Sequence, residues 1–369
     1  MASKKRILCI IGTRPEAIKM APVILNLQES PWAETIIIAT GQHRELLEQS
    51  LATFGVKPHS NLHVMTEGQS LCSLTARIFE RLESYLNELR PDMLLAQGDT
   101  TSVMVAAVSC FYQNIPFGHV EAGLRTSDIH LPFPEEFNRR VAGMLGTLHF
   151  APTTKAKANL LRDGIADAKA FVTGNTGIDA LYWMSQRAPP LPFSLSSKSR
   201  LVLVTAHRRE NMGEPMREMF QAIIDLSLSY QDLEFIYPVH PNPNVRSLAE
   251  TMLGKQPRVH LCQPLDYPEL VSVLTRCDIV LTDSGGLQEE GPALAKPVLV
   301  MRNETERPEA VDLGLARLVG SNRAQIITEV SRLLDDPEAY RSMALGVSPY
   351  GDGRAAERIC RHIKEYFGV

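Results

Sequence analysis

The chain has 369 residues, 44% of them apolar and 22% charged, with a formal net charge of −4. At roughly 150 residues per domain this length predicts two domains, and the composition excludes disordered, collagen-like and coiled-coil classes. The slightly acidic balance excludes a nucleic-acid binder that works through a basic surface, so any phosphate recognition must be local.

The opening MASKKRILCIIG places basic residues before an apolar run, as a signal peptide does. The run ends at Gly12, and Arg14, Glu16 and Lys19 follow at once, so it reads as a buried strand. No apolar stretch approaches the ~20 residues needed to span a bilayer, and no membrane association is expected. Cys9, Cys72, Cys110, Cys262, Cys277 and Cys360 are scattered without metal-like spacing, which suits a reducing cytosol.

Apolar or β-branched runs recur at 7–11, 35–40, 93–96, 116–120, 201–205, 233–239, 279–282 and 298–301, with helical-period segments between them. Nearly continuous apolar strands in this alternation predict α/β architecture, with parallel sheets covered by helices on both faces. The stretch APPLPFSLSSKS at 188–199 reads as an exposed linker. It divides the chain into an N-terminal domain (1–187) and a C-terminal domain (200–350), expected to be doubly wound and Rossmann-like and to face each other across a cleft. Residues 353–367 read as an amphipathic helix, within a tail (351–369) expected to pack back on the first domain. In open α/β sheets ligands bind beyond the carboxyl ends of the strands, so chemistry is sought in the post-strand loops.

After the first run, GTRPEAIK at 12–19 puts Pro15 in the first turn of a helix with Thr13 as its cap. Arg14 and Lys19 could face an anion held near that helix start. Neither the dinucleotide G-x-G-x-x-G spacing nor a Walker loop is present. The loop AQGDTT places Asp99 after a strand, where helix capping explains it as well as catalysis does. HVEAGLR then puts Glu121 at an equivalent strand end, and PFPEEFNRR opens a helix with Glu135 and Glu136, which its dipole favours.

In the second half TAHRREN sets His207 and Arg208 after a strand, where ligand contact is favoured over a merely solvated loop. VHPNP repeats the placement with His240, for which a structural role is equally open. DSGGLQEE carries Ser284, Gly285 and Gly286. Glycines let the backbone approach a ligand, and the N–H groups of the following helix start can cradle a diphosphate. A carboxylate one turn on, from Glu289 or Glu290, can accept both hydroxyls of a ribose. The combination points to a sugar nucleotide.

Together GTRPEAIK, GQH (41–43), GDTTS (98–102), HVEAGLR (119–125), PFPEEFNR (132–139), HRREN (207–211), VHPNP (239–243), DSGGLQEE (283–290) and TERPE (305–309) closely resemble the non-hydrolysing UDP-N-acetylglucosamine 2-epimerases, over almost the whole chain. The resemblance implies a glycosyltransferase B type fold, a homodimer and a substrate bound between the domains. It implies Asp99, Glu121, Glu135 and His207 as catalytic residues, without saying which carboxylate is base and which acid. Ser284, Gly285, Gly286, Glu290, Arg14, Lys19, Arg139 and His240 are implied in binding UDP-N-acetylglucosamine. Gln42, His43, Arg208 and His240 are implied in a second, activating substrate site, although Gly68 stands where some activated relatives carry arginine. No cofactor and no metal is expected. The alternative is a glycosyltransferase of the same fold, which several cleft carboxylates without an evident acceptor surface disfavour. A hydrolysing epimerase usually adds a kinase domain, for which there is no room, and the surplus carboxylates count against a binding protein without activity.

Overall fold

The computed structural model describes residues 3–41, 44–66, 68–191 and 199–369. In chain order the elements are β1 (Lys5–Ile11), α1 (Arg14–Glu29), β2 (Ala33–Ala39), α2 (Arg44–Thr53), β3 (Ser60–Asn61), α3 (Leu71–Leu89), β4 (Met93–Gln97), α4 (Thr101–Tyr112), β5 (Phe117–Val120), α5 (Glu135–Leu145), β6 (Leu148–Ala151), α6 (Thr154–Arg162), β7 (Ala170–Val172) and α7 (Thr176–Ser185). There follow β8 (Arg200–Thr205), α8 (Glu214–Ser229), β9 (Leu233–Pro238), α9 (Pro243–Leu253), β10 (Val259–Cys262), α10 (Tyr267–Arg276), β11 (Ile279–Thr282), α11 (Gly285–Ala293), β12 (Val298–Val300), α12 (Pro308–Asp312), β13 (Ala316–Leu318), α13 (Arg323–Asp335), α14 (Pro337–Met343) and α15 (Ala355–Phe367).

The chain forms two compact units, one running to Ala180 and taking back Tyr350–Val369, the other spanning Leu181–Pro349. The division falls inside α7. Tyr182, past it, donates its hydroxyl to the carbonyl of Ala293 in the second unit at 3.2 Å, whereas Asn175, before it, donates its N–H to the carbonyl of Tyr350 in the first at 2.6 Å. Of the stretch 188–199 read as a linker, residues 192–198 lie outside the described residues.

Among the described residues the first unit holds seven parallel strands in the order β3-β2-β1-β4-β5-β6-β7, and the second holds six in the order β10-β9-β8-β11-β12-β13. Both sheets are the parallel, helix-covered kind that the apolar runs predict. Ile7 to Ile11 of β1 and all of β4 are buried, and each such aliphatic side chain contributes roughly 1.5–3 kcal/mol on leaving water. Amphipathic helices cover the sheets. On α3 the buried side chains are Leu74, Ile78, Leu82 and Leu86, one stripe at four-residue spacing. Ser70 caps its start by accepting the N–H of Ser73 at 3.2 Å. In the second unit α10 begins with a capping box between Asp266 and Glu269, satisfying two N–H groups that the helix itself leaves unpaired.

Helix α15 packs on α1 within the first unit. Its buried side chains are Ala355, Ala356, Ile359, Cys360 and Ile363. Its first turn is held by Asp179, whose carboxylate accepts the N–H groups of Ala355 and Ala356 at 3.1 and 2.8 Å. In each sheet the strand order reverses beside the first strand of the unit: β1 lies between β2 and β4, and β8 between β9 and β11. Consecutive helices leave such a point toward opposite faces and open a crevice at the strand ends. The loops after β1, β4, β8 and β11 therefore hold the first places to seek chemistry.

Candidate active site

In the first unit the strand ends gather carboxylates and cations. Asp99, just after β4, is not the cap of α4. That position belongs to Thr100, which makes no side-chain capping bond. The Asp99 carboxylate instead meets Nη2 of Arg139 at 2.6 Å, and its carbonyl accepts Nδ2 of Asn138 at 2.9 Å. Burial raises its pKa, with Arg139 opposing the shift and Glu121 adding to it. Beneath this pair the imidazole of His119, at the end of β5, is buried and pushed down to about 3, chiefly by desolvation. Held neutral, its Nε2 donates to the carbonyl of Gly98 at 2.7 Å, which ties down the turn that presents Asp99.

Glu121 follows directly on β5 and is buried, with φ +61°. A residue with a Cβ seldom adopts this left-handed conformation, which costs on the order of 1 kcal/mol or more. It is held there by Nζ of Lys19 at 2.6 Å from Oε1, by Nδ2 of Asn175 at 3.3 Å and by the amide of Gln97 on Oε2. Glu135 is the half-buried first residue of α5. Its neighbour Glu136 is fully buried and structural: it accepts Arg140 Nε at 2.7 Å, Arg139 Nη1 at 3.2 Å and the N–H of Thr126 at 3.1 Å. Arg139 thus bridges Asp99 and Glu136. A fifth carboxylate, Glu16, lies buried in the first turn of α1 and accepts the N–H of Gly12 at 2.5 Å. Burial pushes it up to about 7 against that hydrogen bond.

The second unit carries imidazoles and a glycine turn. A pocket of about 220 Å³ at the ends of β8, β9 and β11 is lined by His207, His240, Ser284, Gly286, Leu287 and Glu290 among others. The rings of His207 and His240 stack with centroids 5.5 Å apart and planes 8° from parallel. Behind them Asp283 is fully buried. Its Oδ2 accepts the N–H groups of His207 and Arg208, both at 2.8 Å, and Nδ2 of Asn211 at 3.1 Å. Its Oδ1 lies 3.1 Å from Nδ1 of His207. Desolvation lowers the His207 pKa, with Asp283 opposing.

Ser284 is the N-cap position of α11 without a side-chain cap bond. A Cβ on Gly286 would meet nothing nearer than Ser284 Oγ at 4.0 Å, whereas one on Gly285 would crowd the Arg307 guanidinium at 3.2 Å. Absence of a side chain at Gly286 therefore keeps the helix start open to the pocket. Of the two glutamates on α11, Glu289 is buried against Arg307 Nε at 2.8 Å, and Glu290 is the one that lines the pocket.

The profile of the UDP-N-acetylglucosamine 2-epimerase family matches residues 25–364. The UDP-N-acetylglucosamine 2-epimerase of Escherichia coli K12 is 45% identical, the alignment covering 97% of this chain and 98% of that one. The chain belongs to the UDP-N-acetylglucosamine 2-epimerase family. The corresponding Bacillus subtilis protein is 43% identical over 99% of this chain and 96% of its own length. The crystal structure of the Neisseria meningitidis UDP-GlcNAc 2-epimerase bound to UDP-GlcNAc is 43% identical and superposes with a TM-score of 0.87, covering 98% of this chain and all of that one. Close likeness to epimerase structures of this kind gives the chain the glycosyltransferase B type fold.

Set in this epimerase family, the residues singled out in the sequence fall into two groups. Asp99, Glu121, Lys19 and Arg139 are brought together at the strand ends of the first unit, with Arg14 and Glu135 beginning α1 and α5. His207, His240, Ser284, Gly286 and Glu290 share the pocket of the second unit, with Gly285 at its helix start. Of the activating site, Gln42 and His43 lie outside the described residues, and Arg208 directs Nε to the carbonyl of Asp283 at 3.3 Å. Thr13 holds the cap position of α1 as expected but makes no side-chain capping bond; Glu16 takes up the N–H of Gly12 instead. Sequence reasoning missed Glu16 and Asp283. An acid in a first helical turn reads as a dipole complement, and an Asp before Ser-Gly-Gly reads as part of the turn.

Proposed function

We propose that this epimerase-family chain interconverts UDP-N-acetylglucosamine and UDP-N-acetylmannosamine by eliminating UDP to 2-acetamidoglucal and adding it back. Carbon 2 has no adjacent carbonyl, so its proton is not acidic and direct deprotonation would be prohibitively slow. Departure of UDP from carbon 1 develops positive charge on the ring, which acidifies that proton for a carboxylate. Return of a proton to the opposite face, with re-addition of UDP, gives the manno epimer. The reaction needs one carboxylate as base, another as acid, and negative charge beside the oxocarbenium-like state.

The observation that carries this reading is the pair Asp99 and Glu121, two desolvated carboxylates at neighbouring strand ends, with Arg139 against the first and Lys19 against the second. Glu135 is the third acid of the set, and base and acid are to be assigned among the three. Each positioned proton transfer contributes ~10²–10⁴ in rate. The second unit supplies the nucleotide pocket: the α11 start with Ser284 and Gly286 for the diphosphate, and Glu290 for the ribose. Both α4 and α5 leave bulky apolar side chains exposed, namely Phe111, Tyr112 and Met144, which supports a homodimer. A cytoplasmic location and supply of precursor for surface polysaccharide belong to the same reading.

The decisive experiment runs the reaction in deuterium oxide with oxygen-18 in the sugar–phosphate bridge. Elimination predicts deuterium at carbon 2 of the product and scrambling of the label into non-bridging positions. Epimer formed with the bridging label fully retained and no deuterium would sink the mechanism. Formation of free sugar, or transfer only to an added acceptor, would replace the activity itself.

A further inference from the structure

The two stacked imidazoles of the second unit differ in what their Nδ1 atoms face. At His207, Nδ1 lies 3.1 Å from Oδ1 of the buried Asp283, an oxygen that makes no hydrogen bond among the described residues. A carboxylate oxygen only accepts, so the proton belongs on Nδ1, where it can serve Oδ1, and Nε2 keeps a lone pair when the ring is neutral. In His240 the opposite holds: Nδ1 accepts the N–H of Asn242 at 3.2 Å, leaving the proton on Nε2. Asp283 is itself immobilised, with three N–H donors on Oδ2 and its backbone at the end of β11, beside the loop that carries His207.

We propose that Asp283 is a positioning residue that fixes His207 in the Nδ1–H form, so that the stacked pair offers the pocket one ring acceptor, Nε2 of His207, beside one ring donor, Nε2–H of His240. The proposal rests on the reading that this pocket receives the diphosphate of a UDP-sugar. A diphosphate oxygen only accepts hydrogen bonds. It engages His207 once Nε2 has taken a proton from solvent, and the carboxylate behind Nδ1 then balances the imidazolium charge. Desolvation, His240 and Arg208 oppose that protonation; Asp283 and Glu210 favour it. As charge builds on the leaving diphosphate in the transition state, a ring held this way stabilises it more than it stabilises bound substrate. Asp283 therefore acts through His207 and touches no substrate atom.

The test is nitrogen-15 NMR of the full-length protein with labelled histidine, the His207 signals being identified by their loss in His207→Gln. The expected ligand-free spectrum at neutral pH has Nδ1 of His207 protonated and Nε2 bare, and titration with UDP moves that ring toward the doubly protonated form. Asp283→Asn, which keeps an oxygen for the backbone donors but turns an N–H toward Nδ1, should shift the proton to Nε2. It should also lower kcat by roughly 10²-fold while KM stays within about threefold. Nε2 protonated in the wild type would overturn the proposal without any variant, so failure of Asp283→Asn to fold leaves it decidable. An Asp283→Asn protein with the new tautomer and wild-type kcat overturns it too, since Asp283 would then only anchor the loop. If the wild type shows the Nδ1–H tautomer and shifts with UDP yet forms no epimer, the epimerase reading fails and the assignment of Asp283 stands.

Discussion

The two units run the same scaffold with different chemistry. Both sheets begin at a central strand, step outward on one side, then cross to the other, and both place the candidate site residues beyond the carboxyl ends at the reversal of strand order. The first loads that crevice with Asp99 and Glu121, each tied to a long cationic side chain from another loop or helix. The second loads it with two imidazoles, a serine–glycine helix start and a glutamate. Topology decides where side chains can converge, while the post-strand loops decide which do. On the proposed reading, proton transfer rests on the carboxylates of the first unit and the nucleotide pocket on the second, so substitution of those carboxylates should leave UDP binding intact.

The sharpest break of that comparison comes from the carboxylates. Asp99→Asn, Glu121→Gln and Glu135→Gln should each lower kcat by ~10²-fold or more, with UDP binding, measured by calorimetry, little changed. Loss of UDP affinity on the same scale would mean that the division of labour is wrong. A large drop in melting temperature would instead make these carboxylates structural.

Next in size is a stability effect confined to the first unit. The folded-state pKa of Glu16 is raised from 4.5 to about 7 by burial, so the native state binds its proton more tightly than the unfolded state does. Its contribution is intact below pH 4.5 and is lost as pH rises through about 7, a span worth about 3 kcal/mol. Glu16→Gln keeps an acceptor for the Gly12 N–H and never charges. The variant should therefore exceed wild type in urea-melt stability by about that amount at pH 8.5, with the gap closing toward pH 4.5. A gap that widens on acidification contradicts the assignment.

A smaller and opposite test addresses the second unit. Gly286→Ala adds a methyl group that meets no protein atom nearer than 4.0 Å, so the fold should tolerate it, while the approach of a diphosphate to the helix start should not. We expect UDP to bind about tenfold more weakly, at an unchanged melting temperature. The smallest effect belongs to chelation. Among the described residues no group of three or more His, Cys, Asp or Glu side chains is disposed to hold a metal ion, and dialysis against EDTA should leave turnover as it was. Activity that disappears and returns only with a divalent cation contradicts this.

Legibility of the sequence also differs along the chain. Each of the eight apolar runs coincides with a strand, because buried parallel strands need unbroken Val, Ile and Leu. Strands β3, β6, β7, β10 and β13 escaped notice because none of them has three aliphatic residues in a row, and β3 has no apolar residue at all. Asp99 and Glu121 were visible because each lies in the loop that follows such a run. Their partners were not, since the Asp99–Arg139 contact joins residues forty apart and that between Glu121 and Lys19 joins residues 102 apart. The same holds for Asp283, whose significance lies in what it faces across the sheet end, at residues 207, 208 and 211.

The helix α15 gives the first unit a late piece. Residues 350–369 cover α1, and their first turn is fastened by Asp179, yet about 170 residues of the other unit are translated in between. At 5–20 residues per second the ribosome takes on the order of ten seconds or more over that interval. During it, the face of α1 around Val23, whose carbonyl receives the Cys360 thiol at 3.8 Å, is without its cover. The unit that starts first on the ribosome is thus the one that finishes last, and the second unit can close its core while the first is still waiting for its final helix.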